Sequence, residues 1–333
     1  MSTVTWDKEL IEKYNINGPR YTSYPTALML SEQFSENRIE AALKNAGDGL
    51  CLYLHLPFCH KLCYYCGCNK VITRHQHKAD KYLDYLVKEM AMYQPMVKDK
   101  KIRQIHLGGG TPTFLTEQQL TRLMDLVHEN FTFASNPEVS IEIDPRSCSD
   151  EKLRHLRELG FNRVSYGVQD FDKKVQIAIN RVQDVDLIAH QLKLSKELGF
   201  DSINLDLIYG LPYQRPETFR KSIEQVIEMD PDRISVFSYA HLPERFAGQK
   251  KIPEESIPQP SVKLSLLEQA ITQLSEAGYQ FIGMDHFAKK DDGLAIAQRE
   301  GRLQRNFQGY TTDGQDALLG LGVSSISQVN GVL

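Results

Sequence analysis

Leu52-Tyr-Leu-His-Leu-Pro-Phe-Cys-His-Lys-Leu-Cys-Tyr-Tyr-Cys-Gly-Cys-Asn-Lys70 begins as an apolar run and ends in a cluster of four cysteines. Leu52–Leu56 is too short for a helix and reads as a buried strand. Its C-terminal end opens onto reactive side chains rather than a hairpin turn. The same order recurs along the chain. Ile105–Leu107 runs into Gly108-Gly109-Gly110-Thr111, Glu142 and Asp144 close Val139–Ile143, and Gln169 and Asp170 close Val164–Val168. Asp206 lies within Ile203–Tyr209, and Tyr239, Ala240 and His241 follow Ile234–Phe237. Between these runs lie helical stripes: Tyr82, Leu83, Leu86 and Met90; Leu120, Leu123, Leu126 and Val127; Leu153, Leu156 and Leu159; Leu187, Leu194 and Leu198. Gly160 and Gly199 sit just past two of them, where a left-handed residue ends a helix. About six β–α units in series predict a parallel sheet with helices outside it. Polar residues at successive strand ends predict one rim that carries the chemistry. Periodicity alone leaves open whether the sheet closes into a barrel.

Composition narrows the class. The chain has 333 residues, 39 Lys+Arg and 43 Asp+Glu, for a net charge of −4 and a pI near 6.2. That balance argues against nucleic acid as the main partner, which needs a basic stripe. With 41% apolar and 25% charged residues it reads as a globular protein. No apolar run approaches the roughly 18 residues of a membrane span, and Met1–Leu10 has no signal-peptide character. The expected address is cytoplasmic, where thiols stay reduced.

Of six cysteines, Cys51 and Cys148 are isolated, while Cys59, Cys63, Cys66 and Cys68 are clustered. Four thiols could bind structural zinc, although such sites usually pair two knuckles across a longer loop. Three thiolates at x3/x2 spacing could instead hold three irons of a [4Fe–4S] cube and leave the fourth iron open. Cys66 and Cys68, separated only by Gly67, are awkward ligands for adjacent corners, so Cys68 is placed outside the cluster.

Cys59-x3-Cys63-x-Tyr65-Cys66 resembles the signature of the radical S-adenosylmethionine (SAM) superfamily. The string His55 to Lys70 is similar to the oxygen-independent coproporphyrinogen III oxidase (coproporphyrinogen dehydrogenase) family. The likeness continues through Gly18-Pro-Arg-Tyr-Thr-Ser-Tyr-Pro-Thr26, Gly108-Gly-Gly-Thr-Pro-Thr113, Ile141-Glu-Ile-Asp-Pro145, Gly167-Val-Gln-Asp170, Asp206-Leu-Ile-Tyr-Gly-Leu-Pro212, Gly283-Met-Asp-His-Phe287 and Asn306-Phe-Gln-Gly-Tyr310.

The resemblance implies an α/β fold, a partial (β/α)6 barrel over residues 47–255. An N-terminal arm (1–46, with Arg20, Tyr21 and Tyr24) would lie over its mouth, and 256–333 would extend the barrel. It implies one cluster on Cys59, Cys63 and Cys66, and two SAM molecules. The first would meet Tyr53, Gly109, Glu142 and Ile326. The second would meet Tyr65, Gly110, Thr111, Gln169, Arg181, Asp206 and Ala240. Tyr65 stands where the family usually has Phe. Seen singly, these residues read as a tight turn, a solvated strand end, a surface charge or core; only their joint pattern marks a site. His106 and His286 receive no role.

The activity implied is decarboxylation of two propionates of coproporphyrinogen III to vinyl groups, giving protoporphyrinogen IX without oxygen. A 5′-deoxyadenosyl radical would start each step by removing hydrogen, with loss of CO2 and one electron. No general base is required, and the catalytic residues stay unassigned. Arg20, Arg181 or Arg245 could meet the substrate carboxylates. A low-potential donor of flavodoxin or ferredoxin type and a monomeric state are expected. Family members continue past Leu333 into a mostly helical domain, so this chain is expected to lack it. Alternatives are a haem-trafficking or haem-degrading relative, or a form that binds cluster and SAM without full activity.

Overall fold

Seven parallel strands carry the fold in the computed structural model, which describes residues 6–14, 30, 36–312, 314 and 316–329. Six alternate with helices: β1 (Gly49–Leu56), β2 (Lys101–Gly109), β3 (Thr132–Ile143), β4 (Arg163–Gln169), β5 (Ser202–Tyr209) and β6 (Arg233–Ser238). Each contains one of the apolar runs above and extends beyond it. β7 (Gln280–Gly283) and β8 (His286–Ala288) form an antiparallel pair, and β9 is Ala317–Leu321. The order is β9-β1-β2-β3-β4-β5-β6-β8-β7. β9 pairs parallel with β1, so Leu52 lies opposite Leu319, while β8 pairs antiparallel with β6. The sheet is therefore an open, partial barrel with β9 and β7 at its ends.

The helices are α1 (Lys78–Val97), α2 (Glu117–Asn130), α3 (Asp150–Glu158), α4 (Val185–Glu197), α5 (Pro216–Met229) and α6 (Pro260–Glu276). α1 buries Leu83, Leu86 and Met90, and α2 buries Leu120, Leu123 and Val127, as their spacing predicts. α2 starts at a capping box: the Thr116 hydroxyl accepts from Gln119 N–H, and the Gln119 side chain accepts from Thr116 N–H.

α4 departs from its predicted stripe. Leu187 and Leu198 are only half-buried, while Ile188, Leu192, Leu194, Gln191 and Ser195 face the core. The two polar residues are tolerated because they are bonded. Gln191 donates to the carbonyls of Pro145 and Cys148, and Ser195 meets Tyr166 OH at 2.7 Å.

Gly160 and Gly199 take the left-handed conformation their positions require, with φ of +91° and +75°. At Gly199, its N–H bonds Lys196 O and Phe200 N–H bonds Ser195 O, which caps α4. A Cβ at Gly199 would meet nothing within 4 Å. Gly199→Ala is thus expected to cost only the conformational term, about 1–2 kcal/mol. A lower urea midpoint at unchanged slope would show it; an unmoved midpoint would count against this cap.

The proposed N-terminal arm lies largely outside the described residues, including Arg20, Tyr21 and Tyr24. Within it, Lys8–Tyr14 and Glu36–Lys44 are helical.

Candidate functional site

The chain leaves β1 at Leu56 and enters the cysteine loop, which is closed by a two-rung parallel ladder. Phe58 and Cys59 pair with Val71 and Ile72; Val71 N–H donates to Pro57 O (2.7 Å) and Thr73 N–H to Cys59 O (3.0 Å). Three sulfurs in this loop each receive a donor. The Thr111 hydroxyl reaches Cys59 Sγ at 3.3 Å, Arg181 Nη1 and Arg146 Nη2 reach Cys63 Sγ at 3.5 and 3.6 Å, and Cys68 N–H reaches Cys66 Sγ at 3.4 Å. The Lys70 ammonium folds over the loop onto the carbonyls of Cys66 and Cys68.

These surroundings separate the thiols. A hydrogen bond from the Cys68 thiol outweighs burial and, with Lys70 nearby, holds Cys66 down at about 6. Burial pushes Cys59 up to about 11, against the Thr111 hydrogen bond. Isolated Cys148 is pushed up to about 12 by burial.

Among the described residues, no three His, Cys, Asp or Glu side chains converge on a single metal ion. A cube makes a different demand, since each thiolate takes its own iron. Three thiols with N–H and O–H donors at sulfur and cations nearby fit such a group. Cys68 lies against Cys66 and is exposed.

Tyr53 within β1 and Glu142 near the end of β3 both lie against Gly108, Gly109 ends β2, and Ile326 follows β9. Gly109 N–H donates to Glu142 Oε2 at 3.3 Å. Tyr53 pairs with Gly320 in register, and the Ile326 carbonyl folds back to within 2.9 Å of where a Gly320 Cβ would stand. Burial, and then Glu142, push the Tyr53 hydroxyl well above its usual range. His106 also belongs here. Its ring stacks on Tyr53 at 5.9 Å, its Nδ1 meets Ser140 Oγ at 2.7 Å, and its Nε2 meets Glu142 Oε1 at 3.4 Å.

The second set lines the adjoining part of the rim. Asp206 accepts from Ser165 Oγ (2.9 Å) and Asn204 Nδ2 (2.7 Å). Burial pushes its carboxyl up to about 6, and Glu142 adds to the shift. Gln169 has left-handed backbone, with φ of +71°, and its amide and Arg181 Nη2 crowd the same space beside Gly167. Tyr65 and Ala240 are joined by buried Gln249, whose Nε2 donates to both carbonyls. The Thr111 hydroxyl is committed to Cys59. A Cβ at Gly110 would meet the Pro57 carbonyl carbon and oxygen at 2.7 Å, so this glycine admits the exit of β1 rather than open space.

Arg181 is not the surface charge its position suggested. Its side chain is 7% exposed, and its fork is engaged: Nε and Nη2 on Gly167 O, Nη1 on Asp144 Oδ2 at 3.2 Å and on Cys63 Sγ. Asp144 also pairs with Arg146 at 2.7 Å. Burial pushes the Asp144 carboxyl up, but Arg181 and Arg146 pull harder and hold it at about 2. Of the three arginines named for substrate carboxylates, Arg20 lies outside the described residues, Arg181 is engaged, and Arg245 is exposed. Phe246, next to Arg245, packs on Gly67 of the cysteine loop. His286 sits away from this rim, on β8, with burial and Arg305 lowering it to about 4.

Sequence reasoning missed His106, Gln249 and the Asp144–Arg146 pair. The first stands beside the glycine run and Asp144 inside a quoted motif, so both were within reach; Gln249 had no local signal.

The family model of the Radical SAM superfamily matches residues 53–226. The oxygen-independent coproporphyrinogen III oxidase of Escherichia coli is 55% identical over 98% of this chain and 72% of its own length. That of Pseudomonas aeruginosa is 49% identical over 99% and 73%. The solved coproporphyrinogen III oxidase of Escherichia coli, described as a radical SAM enzyme, superposes with a TM-score of 0.94 at 54% identity over 99% of this chain and 74% of that one. Its fold and its cysteine loop thus place this chain in the radical SAM superfamily, among the oxygen-independent coproporphyrinogen III oxidases.

Proposed function

We propose that the protein converts coproporphyrinogen III to protoporphyrinogen IX without oxygen, as a radical SAM oxidoreductase of haem biosynthesis. The observation that carries this reading is the trio Cys59, Cys63 and Cys66, each sulfur met by a donor at the rim of an open parallel sheet, in a family that performs this reaction. A [4Fe–4S] cluster and SAM, when bound, supply the electron and the radical chemistry that the side chains cannot.

The chain's own residues bind, orient and shield. Cys59, Cys63 and Cys66 hold the cluster. Tyr53, Gly109, Glu142 and Ile326 receive one SAM. Tyr65, Gly110, Thr111, Gln169, Arg181, Asp206 and Ala240 form the boundary of a second. Arg181 serves there as a buried positive wall rather than a free fork, because its donors already hold Gly167, Asp144 and Cys63. Of the three arginines considered for the substrate carboxylates, Arg245 is the exposed one among the described residues and is the candidate to meet a propionate. Residues 47–255 form the reacting core in this reading, with 1–46 and 256–333 as additions to it. A low-potential carrier of flavodoxin or ferredoxin type delivers electrons to a monomer in the cytoplasm, where thiols stay reduced and none of the six cysteines is drawn into a disulfide. No helix among the described residues is long and apolar enough to cross a membrane.

The test is an anaerobic reaction of cluster-loaded protein with coproporphyrinogen III and a reductant, with and without SAM. Mass spectrometry should show a SAM-dependent product lighter by two CO2 and four hydrogens, together with methionine. SAM cleavage without decarboxylation would favour a cofactor-binding form that lacks full activity. No SAM cleavage by iron-loaded protein would overturn the reading.

A further inference from the structure

The cysteine loop and the start of α1 carry a concentration of positive charge that the chain as a whole does not. From His60 to Lys81 there are five Lys and Arg and one acid, in a protein of net charge −4. Lys61, Arg74, Lys78 and Lys81 are all exposed, and among the described residues none has an ion-pair partner. The nearby acids are spoken for: Asp80 accepts from Gln119 at 2.8 Å, and Asp84 pairs with Arg122 at 2.5 Å. Lys78 and Lys81 occupy the first turn of α1, where the helix dipole disfavours cations. Local stability therefore does not explain them.

The patch also has an apolar centre. Val71 and Ile72 are 44% and 43% exposed, and their ladder partners are Phe58 and Cys59. Thr73 N–H, the next residue along, bonds the Cys59 carbonyl. An exposed apolar pair within a run of exposed cations, paired in register with Phe58 and the cluster cysteine Cys59, has the make-up of a transient interface for a negatively charged partner. The rest of the acidic chain would repel that partner and so steer it to this face.

We infer that this surface docks an acidic one-electron carrier protein and is the entry point for the electron that the cluster requires. The inference rests on the cluster assignment above. In the transfer, the carrier loses one electron and the oxidised cluster gains it; no bond forms or breaks and no proton moves.

The experiment compares two reductants by stopped flow on cluster-loaded protein: fully reduced flavodoxin, an acidic carrier, and dithionite, a small molecule. The patch variant combines Lys61→Glu, Arg74→Glu, Lys78→Glu and Lys81→Glu. A control makes the same charge change elsewhere, with Lys193→Glu, Arg220→Glu, Lys221→Glu and Lys290→Glu, all exposed in the structure. At low ionic strength the patch variant should be reduced by flavodoxin roughly tenfold or more slowly than the parent, and added salt should close the gap. Dithionite should bleach parent, patch variant and control alike. An unchanged flavodoxin rate in the patch variant would overturn the inference. So would an equal fall in the control, or a parallel fall with dithionite. Parent protein that takes up no iron would instead overturn the cluster assignment, a result read before any carrier is added.

Discussion

Serine at Cys59, Cys63 or Cys66 is expected to leave protein that keeps almost no iron after anaerobic reconstitution, where the parent should hold about four iron and four sulfide per chain. The cause is ligand chemistry. A hydroxyl is a poor replacement for thiolate at iron, and each of these sulfurs sits in a prepared place: Thr111 at Cys59, two guanidiniums at Cys63, and a backbone N–H at Cys66. Those donors cannot recruit a ligand that is absent. Cys68→Ser is the contrast. Its thiol touches that of Cys66, so position alone does not separate the two, but its backbone N–H survives the change and still faces Cys66 Sγ. The charge-transfer absorbance should persist in Cys68→Ser and vanish in the other three. Iron loss in Cys68→Ser as complete as in the trio would make Cys68 a ligand and remove one of the others from that role.

Asp144→Asn should be strongly destabilising although the position lies outside the apolar core. It would leave Arg181, 7% exposed, without its compensating carboxylate. Breaking a buried pair from one side costs about 3–5 kcal/mol, because the surviving charge stays in a poorly solvating place. Acid should erase the difference. The folded-state carboxyl is held at about 2, below its ordinary 3.8. Its contribution is therefore complete above pH 3.8 and lost as pH falls through about 2. Denaturant unfolding at pH 7 should show the full gap between parent and variant, and the two curves should converge as pH drops from about 4 towards 2. A gap of less than about 1 kcal/mol at pH 7 would mean that water, rather than Asp144, solvates Arg181.

Buried parallel strands write themselves as short apolar runs, and for that reason β1 to β6 were readable in order. The chemistry at their ends was readable because polar residues interrupt those runs at a fixed place. Barrel closure was not, since it depends on which distant strand lies beside β1, and nothing local to Leu52 names Leu319 as its partner. The clustering of Cys59, Cys63, Cys66 and Cys68 was legible in the sequence, but spacing alone left zinc and an iron–sulfur cube open, and the family resemblance chose between them. The shell around the cysteines was not legible. Arg181 looked like a surface charge because its partners Asp144, Gly167 and Cys63 are remote in sequence. Gln191 and Ser195 broke the α4 stripe for the same reason, as buried polar residues whose partners only the fold supplies.

The pairing of β9 with β1 also sets an order of events while the protein is being made. β1 is among the first strands to leave the ribosome, and β9 is the last of the sheet. At roughly 5–20 residues per second, the outer edge of β1 waits on the order of tens of seconds for its neighbour. During that time β2 can zip onto one side, but the other side presents unpaired N–H and C=O groups along an apolar strand. The nascent chain is thus most prone to mispair at its oldest strand, and the risk ends only when Ala317–Leu321 has been synthesised.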